Sequence, residues 1–383
     1  MKTKFVLYLL FLPLFASAQT YTYSTLTKFP ATSKDSAVNP WEPITDSAGN
    51  IYGLSFYGGK YNQGTLWKAT KSGTLSIIYN FGVTSTDAER PIGTLLRDSS
   101  GNFYGESESG GTSNFGTVFK ITSTGKETIL WNFTVELSAA GLPSLARDSA
   151  GNLYGFNTSG AGSVFKLTPK GVYTTLYTFC SLTNCDDGMA PVGGPVLKGS
   201  KLYGVTAEGG GSTACSPVNG CGTIFEVTTS GVETVLYAFN GGIDASAPNG
   251  PLVEDSAGNW YGSSYYGGTG GYGTIFKLSS TNVESVLHDF SFCSVCTDGF
   301  YPITYLIIDS SDNLYGIAAE GGTNNEGTVF SITTTGVETT IYNQNGLAGL
   351  GWGLALDKSG NLYGTTWNGG PNHNGTIYKL TKN

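Results

Sequence analysis

A Tyr-Gly pair recurs seven times, at Tyr52, Tyr104, Tyr154, Tyr203, Tyr261, Tyr315 and Tyr363, each time in the same order of neighbours. A turn such as DSAGN precedes it, and a Gly-Gly loop, a Gly-Thr-apolar-aromatic segment and a closing aromatic segment follow. Self-similarity at about 50 residues marks stacked or radially arranged units, none of which buries its apolar face alone. The repetition runs from about residue 40 to Asn383 without a compositional break, so residues 19–383 read as one repeat domain.

The second repeat reads PIGTLLRD, SSG, NFYGESES, GGTSNFG, TVFKITSTG, KETILWNF. Its apolar positions fall in short runs and alternations bounded by Gly, Ser and Asp, which predicts four strands, here A (PIGTLLRD), B (NFYGES), C (TVFKIT) and D (ETILWNF). No apolar stripe of helical period persists, and 56 glycines occur too often for helix interiors. The A-to-B turn keeps an Asp-Gly-Asn frame at Asp46, Asp98, Asp148, Asp255 and Asp357, becomes DSSDN from Asp309, and shortens to KGSK at Lys198. Asp bonding its own downstream backbone and Gly supplying positive φ explain that frame. Calcium is the alternative, but it needs six or more converging oxygens. No metal or cofactor is expected.

Four-stranded units of this length predict the blades of a propeller. The seventh unit has A, B and C strands but no D strand before Asn383, whereas Tyr21 to Phe29, YTYSTLTKF, matches the D pattern of VETVLYAF. The expectation is an all-β, seven-bladed propeller in which residues 21–29 complete blade 7 and remove the exposed edges. DSAGNLYG, the Gly-Gly loop, GTVFKLT and G-x-E-T-x-L-Y-x-F together resemble the GloVer repeat, a tandem repeat of exported bacterial proteins. That resemblance implies a β-propeller and brings no catalytic residues with it. Members often carry a C-terminal sorting segment; this chain ends at a strand, so the expectation is export without surface attachment.

Residues 1–18 read as a secretory signal: Lys2 and Lys4, an apolar run from Phe5 to Phe15, and Ala16-Ser17-Ala18 before Gln19. No later segment is long and apolar enough to span a bilayer. Removing Lys2 and Lys4 takes the formal charge from −8 to −10, which argues against nucleic acid or an anionic membrane as partner. Six cysteines in an exported chain favour disulfides, with local closure of Cys180 to Cys185, Cys215 to Cys221 and Cys293 to Cys296 the simplest of the 15 pairings. A monomer is the default.

In such a blade the short A-B and C-D turns share one face, and the variable B-C loops and D-to-A crossovers share the other, where binding residues concentrate. The residues before each Gly-Gly, or its equivalent, are Tyr57, Ser109, Ser159, Glu208, Tyr266, Glu320 and Asn368. Glu106, Glu108, Tyr61, Tyr265, Tyr272, Trp367, Trp41, Asp187, Asp298 and Tyr301 lie nearby in sequence. Aromatic rings beside carboxylates and amides suit a sugar, so Tyr57, Glu108, Glu208, Tyr266, Glu320 and Trp367 are the candidate ligand-binding set. The bland alternative is that these aromatics pack between blades, as Tyr203 and its counterparts do.

The leading expectation is an exported, non-catalytic propeller that binds an extracellular polymer such as a carbohydrate. A hydrolase or polysaccharide lyase on the same face would use Glu208 and Glu320, with His373 as a possible base. A protein-interaction scaffold is the third reading. His288 and His373 are the only histidines, which excludes a His-rich metal centre; His288, at a D-strand position filled elsewhere by Tyr or Trp, reads as a packing substitute.

Overall fold

The computed structural model describes residues 19–30, 37–135, 144–215, 220–292, 298–303, 305–346, 349–371 and 373–383. Its strands form seven separate antiparallel sheets, one per repeat. Blade 2 is the simplest, with Ala88–Arg97, Phe103–Gly110, Thr117–Ile121 and Glu127–Asn132 as strands A to D. Strand A departs from the simple expectation. It is split in blades 1, 5 and 6, into Ala37–Pro40 and Ile44–Thr45, Ala245–Pro248 and Val253–Glu254, and Gly299–Pro302 and Ile307–Ile308. In blades 2, 4 and 7 it is continuous, but its register shifts between Ile92 and Leu96, Val192 and Val196, and Leu350 and Leu354. In all six blades the middle of the innermost strand therefore leaves the ladder, because residues crowding around the axis cannot all keep flat strand geometry.

Packing explains the Tyr-Gly pair. Each glycine lies across from the aromatic of strand C: Gly53 from Trp67, Gly105 from Phe119, Gly155 from Phe165, Gly204 from Phe225, Gly262 from Phe276, Gly316 from Phe330 and Gly364 from Tyr378. A Cβ on Gly105 would stand 2.7 Å from Phe119 Cζ, and every counterpart would meet its own partner ring as closely or closer. None of the seven needs positive φ; the requirement is space. The tyrosine reaches back to the turn, where its hydroxyl donates to an Asp Oδ2 at 2.8–3.1 Å in six blades, for example Tyr154 to Asp148 and Tyr261 to Asp255. The same aspartates accept backbone N–H groups and the Asn side chain of the turn. Partial burial works against their ionisation, but the Asn, backbone and Tyr hydrogen bonds together outweigh it and hold Asp46, Asp98, Asp148, Asp255, Asp309 and Asp357 below the usual carboxylate range. Blade 4 has Lys198 in place of the aspartate; Tyr203 stacks instead on Trp260 of blade 5, at 4.6 Å between centroids.

The core lies between blades. Leu54, Leu66 and Phe81 of blade 1 pack on Phe103, Phe119 and Ile121 of blade 2, and like clusters join each successive pair. A further cluster joins blade 7 to blade 1 through Tyr363, Ile377, Ile51 and Trp67. An open array would lack that seam, so the ring is closed. Tyr21–Lys28 pairs antiparallel with Thr376–Lys382, from Tyr21 opposite Lys382 to Lys28 opposite Thr376, with one register shift between Thr25 and Thr27. Buried Phe29 donates its N–H to Gly375 O at 3.2 Å, as Phe239 does to Gly222 O within blade 4. The first described strand is thus the fourth strand of the last blade.

Carboxyl groups also meet at the seams. Tyr79 Oη of blade 1 lies 3.2 Å from Asp87 Oδ2 and 3.1 Å from Glu127 Oε2 of blade 2. One phenolic hydrogen serves only one of the two carboxyl groups at a time. Tyr177 with Asp187 and Tyr237 with Asp244 repeat the pairing, at 2.7 and 2.9 Å. His288 packs edge-on against Phe290 and bonds Asp298 at 3.1 Å, so it replaces the tyrosine in hydrogen bonding as well as in packing. Burial, then the neighbouring aspartate, pushes Glu127, Glu233, Glu284 and Glu338 up to about 7.

The two carboxyl populations act in opposite directions on stability. The depressed turn aspartates stabilise the fold above the unfolded pKa of about 3.9, and that contribution is lost as pH falls through their lower folded values. For the raised glutamates the contribution is full below about 4.3 and is lost as pH rises through about 7. The urea midpoint is therefore expected to peak at about pH 4–5 and to fall steadily to about pH 7.5, with a shallower fall in Glu127→Gln and Glu284→Gln proteins.

Candidate functional site

In five blades strand A carries a backbone position that sequence reasoning did not isolate. Asn39, Arg90, Ala190, Ala247 and Tyr301, each just before a proline, share a left-handed φ of 51–57°. Their common cause is the seam. The N–H groups of Arg90, Ala190, Ala247 and Tyr301 donate to Gln63, Ala161, Cys221 and Tyr272 carbonyls of the preceding blade at 2.8–3.1 Å. The following prolines pack against a preceding-blade glycine, as Pro91 does on Gly64, Pro248 on Gly222 and, across the closure, Pro40 on Gly375. Non-glycine residues in this conformation cost about 1–3 kcal/mol each and concentrate at functional sites. The readable signal was the x-Pro in five of the A strands.

Two recesses open on this crossover face. The first, of about 340 Å³, is lined by Asn39, Pro40, Trp41, Phe56, Tyr57, Trp352 and Trp367. Its rings are mutually tilted: Trp352 and Trp367 at 46°, Trp41 and Phe56 at 77°, Phe56 and Tyr57 at 89°. The second, of about 450 Å³, shares Trp41 and Trp352 and continues over Val192, Ala247, Pro248, Tyr265 and Tyr266. The two indoles thus form a saddle between blades 7 and 1 on one side and blades 4 and 5 on the other. Trp41 Nε1 donates to Pro91 O at 2.9 Å, which fixes its ring. Tyr265 stacks on Tyr301 at 4.8 Å. Burial, then Tyr266 and the Glu320 carboxylate, pushes the Tyr265 hydroxyl up, so it stays a neutral donor.

Of the candidate ligand-binding residues, Tyr57 and Trp367 meet in the first recess and Tyr266 lines the second. Glu108 sits beside the first through Arg90, whose Nη1 is 3.9 Å from Glu108 Oε2 and whose guanidinium lies over the Tyr57 ring at 5.8 Å. Glu208 ends strand B of blade 4, half-buried, and lines neither recess. Glu320 is exposed beside Tyr265 and Tyr301; His373 is exposed in a left-handed loop position. Among the described residues no hydrogen bond or ion pair joins Glu208, Glu320 and His373 to one another. Two neighbours assigned to the mouth belong to the interior. Glu106 is fully buried in strand B, where other blades place Leu54, Phe156, Val205 or Ile317, and Asp187 is buried holding the N–H groups of Ser181 and Leu182. Period-2 counting could not separate Glu106 from Glu108 because the end of strand B turns from seam to mouth within two residues, and Asp187 lies in a crossover to which no strand period applies.

The Cys180–Cys185 and Cys215–Cys221 disulfides are formed, in a D-to-A crossover and a B-C loop of this face. Cys293 and Cys296 lie outside the described residues, as does the 1–18 segment. No described helix is long and apolar enough to cross a membrane.

These features define a seven-bladed β-propeller with its irregular connections gathered around one mouth of the axis. The chain belongs to the Gloeobacter/Verrucomicrobia repeat family, whose sequence model matches residues 14–216 and 211–383. No curated protein matches it. Among solved structures, a streptogramin B lyase is similar with a TM-score of 0.63 at 15% identity, over 95% of this chain and 98% of that one. A puromycin-hydrolyzing peptidase of Mycobacterium tuberculosis gives 0.57 at 9% identity, over 95% and 56%. The WD40 β-propeller domain of Doa1 gives 0.57 at 11% identity, over 93% and 96%. At these identities the likeness is one of fold.

The left-handed positions make a direct prediction. Ala190→Gly is expected to raise stability by about 0.5–1 kcal/mol in urea unfolding, because glycine relieves the strain and a methyl contributes little there. An equal loss would show that φ near 57° is not strained at this seam.

Proposed function

We propose that the protein is an extracellular, non-catalytic binder of a carbohydrate polymer, held across the crossover face with its sugar rings against Trp352, Trp41, Tyr57 and Trp367. The observation that carries this reading is the pair of recesses sharing Trp41 and Trp352, which offers a continuous aromatic path for a chain-like ligand. Each recess falls in the range of about 300–1,000 Å³ usual for ligand sites. Aromatic faces take the C–H faces of sugars, while the hydroxyls of Tyr57 and Tyr266 and the Asn39 amide are suited to sugar hydroxyls. Neither lining contains a carboxylate, a histidine or a lysine, which favours an uncharged saccharide and favours retention over turnover. The two crossover-face disulfides support an extracellular setting.

The test is retention of the purified protein on a panel of neutral polysaccharides, with the soluble fraction assayed for new reducing ends and unsaturated products. Trp352→Ala, which opens both recesses, is expected to weaken retention by about 2 kcal/mol, roughly thirtyfold, as for a buried aromatic anchor. Glu208→Gln and Glu320→Gln are expected to leave it unchanged. Product formation lost in those two variants would replace this reading with a hydrolase or lyase; absence of both retention and products would favour a protein partner.

A further inference from the structure

The innermost strands carry a second feature, independent of the aromatic mouth. The residue two before the partner of each repeat tyrosine occupies one equivalent place in every blade. With Ile44 opposite Tyr52, Leu96 opposite Tyr104, Ala146 opposite Tyr154, Val196 opposite Tyr203, Val253 opposite Tyr261, Ile307 opposite Tyr315 and Ala355 opposite Tyr363, that place holds Glu42, Thr94, Ser144, Gly194, Pro251, Tyr305 and Gly353. Five of these seven line a single cavity of about 360 Å³. Residues from five different blades meet in one space only at the axis of the ring.

Into this otherwise neutral ring the chain puts one carboxyl group. Glu42 is buried; its Oε2 accepts from Thr94 Oγ1, and its Oε1 has no partner. Blade 7 leaves room for it, since a Cβ on Gly353 would collide with the Glu42 side chain. The cavity also presents the hydroxyl-bearing side chains of Ser144 and Tyr305, the former donating to Gly193 O at 2.6 Å. A buried carboxylate with an unfilled oxygen costs several kcal/mol unless it meets a cation or takes up a proton.

We propose that the axis is a calcium site in which Glu42 supplies the one charged ligand and Thr94, Ser144 and Tyr305 supply neutral oxygens or hold the waters that complete the shell. Calcium suits this set because it takes six to eight hard oxygen ligands in flexible geometry and keeps water readily. The lining of the cavity contains neither histidine nor cysteine, so soft transition metals find no matching donors there. One carboxylate implies weak binding, in the range of about 10⁻⁴–10⁻³ M typical of extracellular modules. The acidic chain, with formal charge −8, favours cation entry.

The probes are Ca²⁺ in urea unfolding and Tb³⁺ luminescence, sensitised by Tyr305 and displaced by excess Ca²⁺. In about 5 mM Ca²⁺, above the expected dissociation constant, the urea midpoint of the wild-type protein should rise. Glu42→Gln, which keeps shape and volume, should fold with a midpoint at least equal to wild type in chelator, gain nothing from Ca²⁺, and bind Tb³⁺ at least tenfold more weakly. Thr94→Val should weaken Tb³⁺ binding severalfold. A wild-type midpoint indifferent to Ca²⁺, or a Glu42→Gln protein that responds as wild type does, overturns the proposal.

Discussion

Everything in this propeller depends on a bare peptide lying under an aromatic ring. The glycine of each Tyr-Gly pair gives up a side chain so that the strand-C aromatic can lie flat against the neighbouring backbone, as Phe276 does over Gly262. That contact lets the blade stay thin at its middle. A thin blade brings the next one close enough for Phe290 to pack on Phe330 across the seam, at 5.4 Å between centroids. Core burial is therefore divided into seams, each shared by two neighbours, and no blade has a core of its own. The tyrosine beside the glycine extends the same logic outward by joining the seam to the turn through an ionised aspartate.

The scaffold was readable because it is repeated. Seven copies of one constraint, each with the same register between Gly and aromatic, average out local noise and fix strands, turns and closure together. The Tyr21 to Phe29 match to a D strand was legible for the same reason, and so were the local Cys180 and Cys185, and Cys215 and Cys221, pairings. Features that depart from the repeat were less legible. Glu42 in Trp41-Glu42-Pro43 resembles a loop residue in sequence, and only the break in strand A places it on the axis. Glu106 looked like a mouth residue because it follows Tyr104-Gly105, yet at that place the strand still faces the seam. Trp352 went unremarked because Gly93, Gly193 and Gly250 stand at that place in blades 2, 4 and 5; blade 1 places Trp41 there, and the meeting of the two indoles depends on ring closure.

The two ends of the axis have diverged in chemistry. On the crossover face, Trp41 and Trp352 close an aromatic saddle with no charged group in its walls. One residue further along the same segment, Glu42 begins a polar layer with Thr94, Ser144 and Tyr305. The change from aromatic to polar within a single step follows from the interrupted inner strand, which turns successive side chains to different levels of the channel instead of alternating them between blade faces.

The pairing of Tyr21 with Lys382 sets an order of events during biosynthesis. A ribosome releases the early strand long before its partner exists, so five seams can mature while the last sheet holds only its A and B strands. Only when the final segment emerges does the wheel acquire its last hydrogen-bonded rung, and that contact spans almost the whole polypeptide. Such distant pairing is slow to form. Until it does, the nascent molecule carries two raw edges, and the waiting strand itself is the piece best shaped to cap one of them.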